Sequence, residues 1–489
     1  MQSVPVPGRG RRGAELIEHL LRRAGFGATP DELNAYVDLG FTGTVSDLID
    51  YEQVPDAVDS LIGKPGYAAI TPRGGFLPAQ NITDARQRWV FRMVHSGRPL
   101  QEKMTLFWHN HFATAYSKVA GAFGSTEGAR YMAAKPSEDP NRVEGQIELL
   151  RRHALGNFRD LLVAVAKDTA MLVWLDGRTN VKGRPQENFA RELMELFTMG
   201  VDTFAEADVY AGARVFTGWN LTRPSNAYYT FSYVASQHDT TAKEFTFPVY
   251  ADGGKTIPAR TAGAGQQDGL DLIAAVARHP ATGPRLARKL YDFFISEVGR
   301  RDETLIAELA AVYYDSDFEM KPVLRHLLMS PQFADTSNRY ARYSWPAEFV
   351  ARALKEVGWT GFSVNDTLTP MSSMGQQLFE PPDVAGWEPG PGWFSTGGML
   401  ARMNFAASLA TNQKFNLRTL ARDSAKSPES LLAFLLDRLT APSFAPESRR
   451  ALLDYARAGG SWTGSESQVT TKAAGLVHLI VGSGDYQIV

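Results

Sequence analysis

The chain has 489 residues, 44% of them apolar and 21% charged, the composition of a folded protein long enough for one large domain or several smaller ones. Its 51 Lys and Arg stand against 53 Asp and Glu, a formal charge of -2, so no long-range field favours nucleic acid or an anionic membrane. Cysteine is absent, which excludes disulfides, zinc-thiolate sites, iron–sulfur clusters and cysteine nucleophiles.

The first residues are basic, but no apolar core of roughly 7–15 residues precedes a small-residue cleavage site. The sequence as it stands therefore reads as cytoplasmic, and as periplasmic or secreted if a leader has been removed. No uncharged apolar window of roughly eighteen residues occurs, so no integral membrane segment is expected. Residues 14–24 set Leu16, Leu20 and Ala24 on one side of a helix that Gly25 and Gly27 stop. Thr29, Pro30 and Glu32 supply an N-cap, an N1 proline and an early acid, predicting a helix to about residue 38. A short helix is expected at 42–50 and a Gly/Pro-rich loop at 64–82.

Asp84 opens another helix, and residues 101–112 form one that ends near its histidines. Residues 117–141 read as loop with a short helix near 126–133, and 142–167 as two helical pieces. Helices are predicted at 186–199, 204–216, 268–277, 282–297, 302–313, 318–329, 345–356 and 399–411. Within 222–258, Phe231, Tyr233, Phe245, Phe247 and Val249 stand near alternating positions, which predicts a small β-hairpin insertion. Residues 359–398 form a long ordered loop, and helices at 427–438, 444–457 and 471–481 follow it. The expected fold is all-α: a main helical domain at 1–415 and a C-terminal helical extension at 416–489, packed on the same core or separate from it.

Two polar runs carry the candidate chemistry. In Trp108-His109-Asn110-His111-Phe112 the histidines sit at i and i+2, which share no face of a regular helix. They converge on one ion only if the helix ends there. Imidazoles suit a divalent transition metal, and a third ligand must come from elsewhere, with His153, His238, Asp239 and Glu192 as candidates. The competing reading makes them interior residues with hydrogen-bonded rings.

The second run is Arg184–Trp219. Pro185 starts its helix and Gly200 ends it. Glu187, Arg191 and Glu195 are spaced by four, so Arg191 can pair on both sides in a structural ionic network. Glu192 lies off that ladder, available as a ligand or proton acceptor. Thr203 is the expected N-cap of the next helix with Glu206 at N3, and Asp208 faces its positive end. His238 and Asp239 are a candidate catalytic dyad, Asp176 to Asn180 reads as a structural turn, and Trp387 and Trp393 are candidates for stacking on a ligand such as a sugar. No serine-hydrolase elbow, Walker loop or dinucleotide fingerprint is present.

These segments together resemble a large bacterial family, domain of unknown function 1800 (DUF1800). The likeness runs from His19-Leu-Leu-Arg-Arg-Ala-Gly-Phe-Gly27 through Phe107–Phe112 and Leu175-Asp176, and is strongest over Gln186–Gly200. It continues at Asp208, Phe216–Trp219, His238-Asp239, Ala287–Phe294, Phe379–Trp387 and His478–Gln487. Gln186 stands where Asn is commoner, and Gly482–Asp485 departs from a usual Ser-Pro-Glu. The resemblance implies a mostly helical bacterial protein whose relatives are often exported and encoded beside another exported family, a candidate source of a protein partner. It implies no catalytic residues.

Two functions follow from the residues. One is a metal-dependent enzyme, hydrolase or oxidoreductase, with His109, His111 and Glu192 as ligands of one divalent transition metal ion and Glu192, His238 and Asp239 moving protons. Its open coordination position would activate water or dioxygen against an unknown, extracellular substrate. The alternative is a non-catalytic binding or assembly protein in which the polar cluster is an ionic scaffold.

Overall fold

The computed structural model describes residues 11–489 apart from 226, 359–361, 413–416 and 441–443. The described residues form twenty-three α-helices and two short antiparallel strand pairs. None of these helices is long and apolar enough to cross a membrane.

Helices begin where the sequence supplies caps. The Thr29 hydroxyl accepts the Glu32 N–H at 3.3 Å while the Glu32 carboxylate accepts the Thr29 N–H at 2.8 Å. The helix they start, Pro30–Ile49, absorbs both expected pieces and bends at Gly40, whose φ is 70°. Two helices lie where the sequence reads as loop. Tyr116–Phe123 buries only Val119, too little for a periodic signal. Asn365–Ser373 contains Pro370, which disguises it. The β insertion is two hairpins rather than one. Trp219–Thr222 pairs with Thr230–Tyr233, with Trp219 opposite Tyr233, and Lys243–Glu244 pairs with Thr256–Ile257. Phe245, Phe247 and Val249 are all buried around the second pair.

The helix Pro99–His111 is at the centre. Every residue of it except Asn110 is buried, including Gln101, Glu102, Lys103, His109 and His111. Buried polar groups cost several kcal/mol unless paired, so each of these must find a partner on another segment. Glu102 Oε1 accepts Arg92 Nε at 2.7 Å and Arg151 Nε at 2.8 Å. Arg92 continues to Asp59 at 3.0 Å and Asp56 at 2.9 Å, and Arg151 to Glu148 at 2.6 Å. Burial alone would raise the Glu102 carboxyl, but Arg151 and Arg92 hold it below its ordinary range. Lys103, on the next position, points to the other side. It pairs with Glu348 and donates to the carbonyls of Gly25 at 2.9 Å and Arg22 at 3.3 Å. Arg342 meets the same Glu348 through two bonds, at 3.0 and 2.6 Å.

The C-terminal segment packs on this body. Its division from the rest at 415/416 lies outside the described residues. Arg342 and Val489 exchange backbone hydrogen bonds at 3.2 and 2.9 Å. The Tyr486 hydroxyl donates to Glu356 at 2.6 Å, and Arg352 spans from Glu356 to the Tyr486 carbonyl at 2.9 and 3.0 Å.

Glu102→Gln leaves two buried guanidinium groups facing a neutral partner. It should lower the unfolding free energy by roughly 3–5 kcal/mol. Glu187→Gln, at a half-buried pair, should cost less than about 1 kcal/mol. Urea unfolding of the two variants tests this contrast, and equal losses would contradict the assignment of Glu102 as the central charge.

Candidate functional site

Each polar side chain of the Trp108–Phe112 run pins a different remote stretch of backbone. The His109 Nε2 lone pair accepts the Phe379 N–H at 3.1 Å. Phe379 holds φ 63°, so the histidine fixes a residue in a conformation that non-glycine residues seldom adopt. The ring lies among Trp89, Phe379 and Trp387. Burial there pushes its pKa down to about 3, which keeps it neutral. Asn110 pairs with the Trp387 backbone in both directions, accepting its N–H at 2.7 Å and donating to its carbonyl at 3.1 Å. Gly386, at φ 85°, packs so closely on Asn110 that a Cβ would collide with it.

His111 closes the run. Its Nε2 lies 3.0 Å from the Phe197 carbonyl, which can only accept, so Nε2 carries the hydrogen. Nδ1 therefore presents a lone pair, and Lys289 Nζ donates to it at 3.0 Å. Burial, and then the Lys289 charge, hold the His111 pKa well below the ordinary imidazole value. Burial, followed by the nearby Arg285 charge, pushes the Lys289 amine down to about 7.

Beside this pair opens a cleft of about 400 Å³. Its apolar walls are Phe107, Phe293, Trp345 and Trp387, and His111 and Lys289 line it. Carboxylates also reach it. Asp292 is held by Arg301 at 2.7 and 2.8 Å, and Asp383 accepts the Ala385 N–H at 2.9 Å. Glu297 accepts the Tyr343 N–H at 3.0 Å through one oxygen. Its other oxygen, Oε1, is buried without a hydrogen-bond partner among the described residues, as is Trp345 Nε1.

The remaining candidate residues are placed apart from this cleft or built into its wall. The helix Asn188–Glu192 loosens into a π turn at Leu193–Phe197, and Met199 N–H reaches back to the Met194 carbonyl at 2.8 Å. That turn rotates Glu195 off the expected ladder. Arg191 pairs with Glu187 at 3.4 Å and with Glu206 at 2.7 Å, while Glu195 faces the Arg285 charge. Glu192 is half-buried. Burial and the Glu195 charge raise its pKa, and Arg191 pulls the other way.

The following helix is Glu206–Val215, so its cap, Ala205, is two residues further on than the expected Thr203, and N3 is Asp208 rather than Glu206. Asp208 accepts the Ala205 N–H at 2.7 Å and the Thr246 N–H at 2.6 Å, and is a buried tie to the β insertion rather than a partner of Arg191. Gly212 of that helix packs against Ala190, where a Cβ would meet the Ala190 methyl at 2.9 Å.

The His238–Asp239 dyad does not form, because extended backbone sends consecutive side chains opposite ways. His238 lies buried between the Thr217 carbonyl at 2.8 Å and Asp268 at 3.2 Å, with Lys243 bonded to the same carboxylate. Asp239 turns to Arg214 at 2.8 Å and Thr241 at 2.6 Å. Burial opposes its ionisation, but those bonds hold its carboxyl well below the usual range. Trp387 and Trp393 are each only 5% exposed. Trp387 packs its ring on His109, and Trp393 packs on Trp345.

Among the described residues no three His, Asp or Glu side chains gather where a metal ion could be held. The nitrogens that would ligate are committed: His109 Nε2 to an N–H, and both nitrogens of His111 to Phe197 and Lys289. Lys289, the residue that the structure adds, was within reach of the sequence. It lies three residues after Leu286 and four before Phe293, both buried, so helical spacing puts it on the inward side.

The lowered Lys289 pKa has a consequence for stability. Below about pH 7 the fold must bury the ammonium form, and this penalty fades as pH rises toward the ordinary lysine value. Lys289→Met should therefore be more stable than the parent near pH 6, on the order of 2 kcal/mol, and lose that advantage by about pH 10. Urea unfolding across that range checks the sign; an advantage that grows with pH would contradict it.

Comparison with curated proteins and with solved structures finds no match. The model of the family described as a protein of unknown function, DUF1800, matches residues 19–488, and the chain therefore belongs to the DUF1800 family.

Proposed function

We propose that this chain is a non-catalytic binding protein, in which the polar runs are scaffold and the cleft beside Lys289 is the ligand surface. The observation that carries the reading is the commitment of His109, Asn110 and His111 to protein partners, each fixing a wall of the cleft or the loop that borders it. A metal enzyme would need those nitrogens free to converge. A cleft with aromatic walls and a few polar side chains among its lining has the make-up of a small-molecule site. Binding energy would come from burying a flat apolar body, and orientation from Lys289 and Glu297.

Elemental analysis and chelator treatment of the purified full chain separate this reading from metal chemistry. The expected result is no stoichiometric transition metal and a melting temperature that chelator leaves unchanged. One metal ion per chain, lost in His109→Ala with His111→Ala while the fold persists, would overturn it.

A further inference from the structure

Lys289 differs from the buried Lys103 in how its amine is used. Lys103 is saturated: one carboxylate, Glu348, and two carbonyls surround its nitrogen. Lys289 is bonded to one neutral acceptor, His111 Nδ1, and pairs with no carboxylate among the described residues. Lys289 lines a cleft of about 400 Å³ walled by Phe107, Phe293, Trp345 and Trp387.

We propose that this cleft takes an aldehyde or ketone carried on a flat apolar body, and that Lys289 Nζ holds it as a reversible imine. The inference rests on the cleft being the ligand surface, and it names the ligand's class. The Nζ lone pair attacks the carbonyl carbon, forming C–N as the C=O π pair moves to oxygen. His111 Nδ1 takes the proton that nitrogen loses and can return it to that oxygen. The carbinolamine then expels its hydroxyl, protonated by the Glu297 carboxyl, as water while C=N forms, and nitrogen's second proton passes to His111 Nδ1, so His111 gains the proton that Glu297 loses. Amine and carbonyl become imine and water, with nothing oxidised or reduced. The Glu297 carboxyl lines the same cleft, and burial raises its pKa, so it is a proton source for the departing water. The amine value near 7 supports the step, because a nucleophilic lysine must spend part of its time uncharged at neutral pH.

Benzaldehyde and cyanoborohydride, added to the native full chain at neutral pH, trap any imine as a benzylated lysine that peptide mass spectrometry locates. Lys289 should be labelled about tenfold faster than the exposed Lys182, Lys255 and Lys426. Lys103 should stay unmodified. His111→Gln should slow labelling at Lys289 only, and Lys289→Arg should abolish it. The rate comparison within the unmodified protein stands even where a variant fails to fold. Labelling of Lys289 no faster than the exposed lysines overturns the proposal. Benzyl alcohol, which has no carbonyl, separates the two claims by saturation-transfer NMR. Binding of it that Trp345→Leu removes, with Lys289 unlabelled, sinks the imine and leaves the binding cleft. No binding and no labelling sinks both.

Discussion

The structure is organised by one desolvation problem. A helix that carries Gln101, Glu102, Lys103, His109 and His111 is buried on almost every side. Leaving any of those groups unpaired would cost a large part of the stability of a typical domain. The solution is that each of these side chains recruits a partner on another segment. Glu102 draws in the helices of Arg92 and Arg151, Lys103 draws in residues 22–25 and Glu348, and the terminal histidines and Asn110 fix Phe379, Trp387, Phe197 and Lys289. The cleft is a by-product of that arrangement. Its walls stand where they do because three neighbouring side chains of one helix end each hold a different partner.

Such a core is specified by pairing more than by volume. Buried ion pairs of this kind add little net stability over apolar replacements of the same shape, yet breaking one partner is costly. The second network follows the same rule. Asp268 gathers His238, Lys243 and Arg260, and so ties the two hairpins to the helix Gln266–Arg278. The insertion, with little regular sheet of its own, is held by charge and by buried aromatics rather than by strand ladders.

How much of this the sequence disclosed depends on the range of the interaction. Local signals were legible. The Thr29–Glu32 capping box, the inward periodicity of most helices and the position of the histidines at a helix end all depend on residues within a few positions of one another. The π turn at Leu193–Phe197 was not, because the expected ladder of Glu187, Arg191 and Glu195 assumes regular winding. The partners of Glu102 and His109 were not legible either. A carboxylate on a helix says that it needs a cation if buried, but the identity of that cation, Arg92 with Arg151, is set by tertiary packing. Lys289 lies between these cases: its inward position follows from spacing, and its lone bond to His111 from the fold.

The distribution of those partners along the chain also shapes its synthesis on the ribosome. Residues 22–25, Arg92 and Arg151 emerge before or shortly after the central helix, whereas Lys289, Glu348, Phe379 and Trp387 emerge much later. A nascent chain that stops short of residue 348 therefore carries Lys103 without its carboxylate and His109 and Asn110 without their backbone partners. Such an N-terminal portion is a natural client for a holding chaperone, and the native core closes only once the last third of the polypeptide has been delivered.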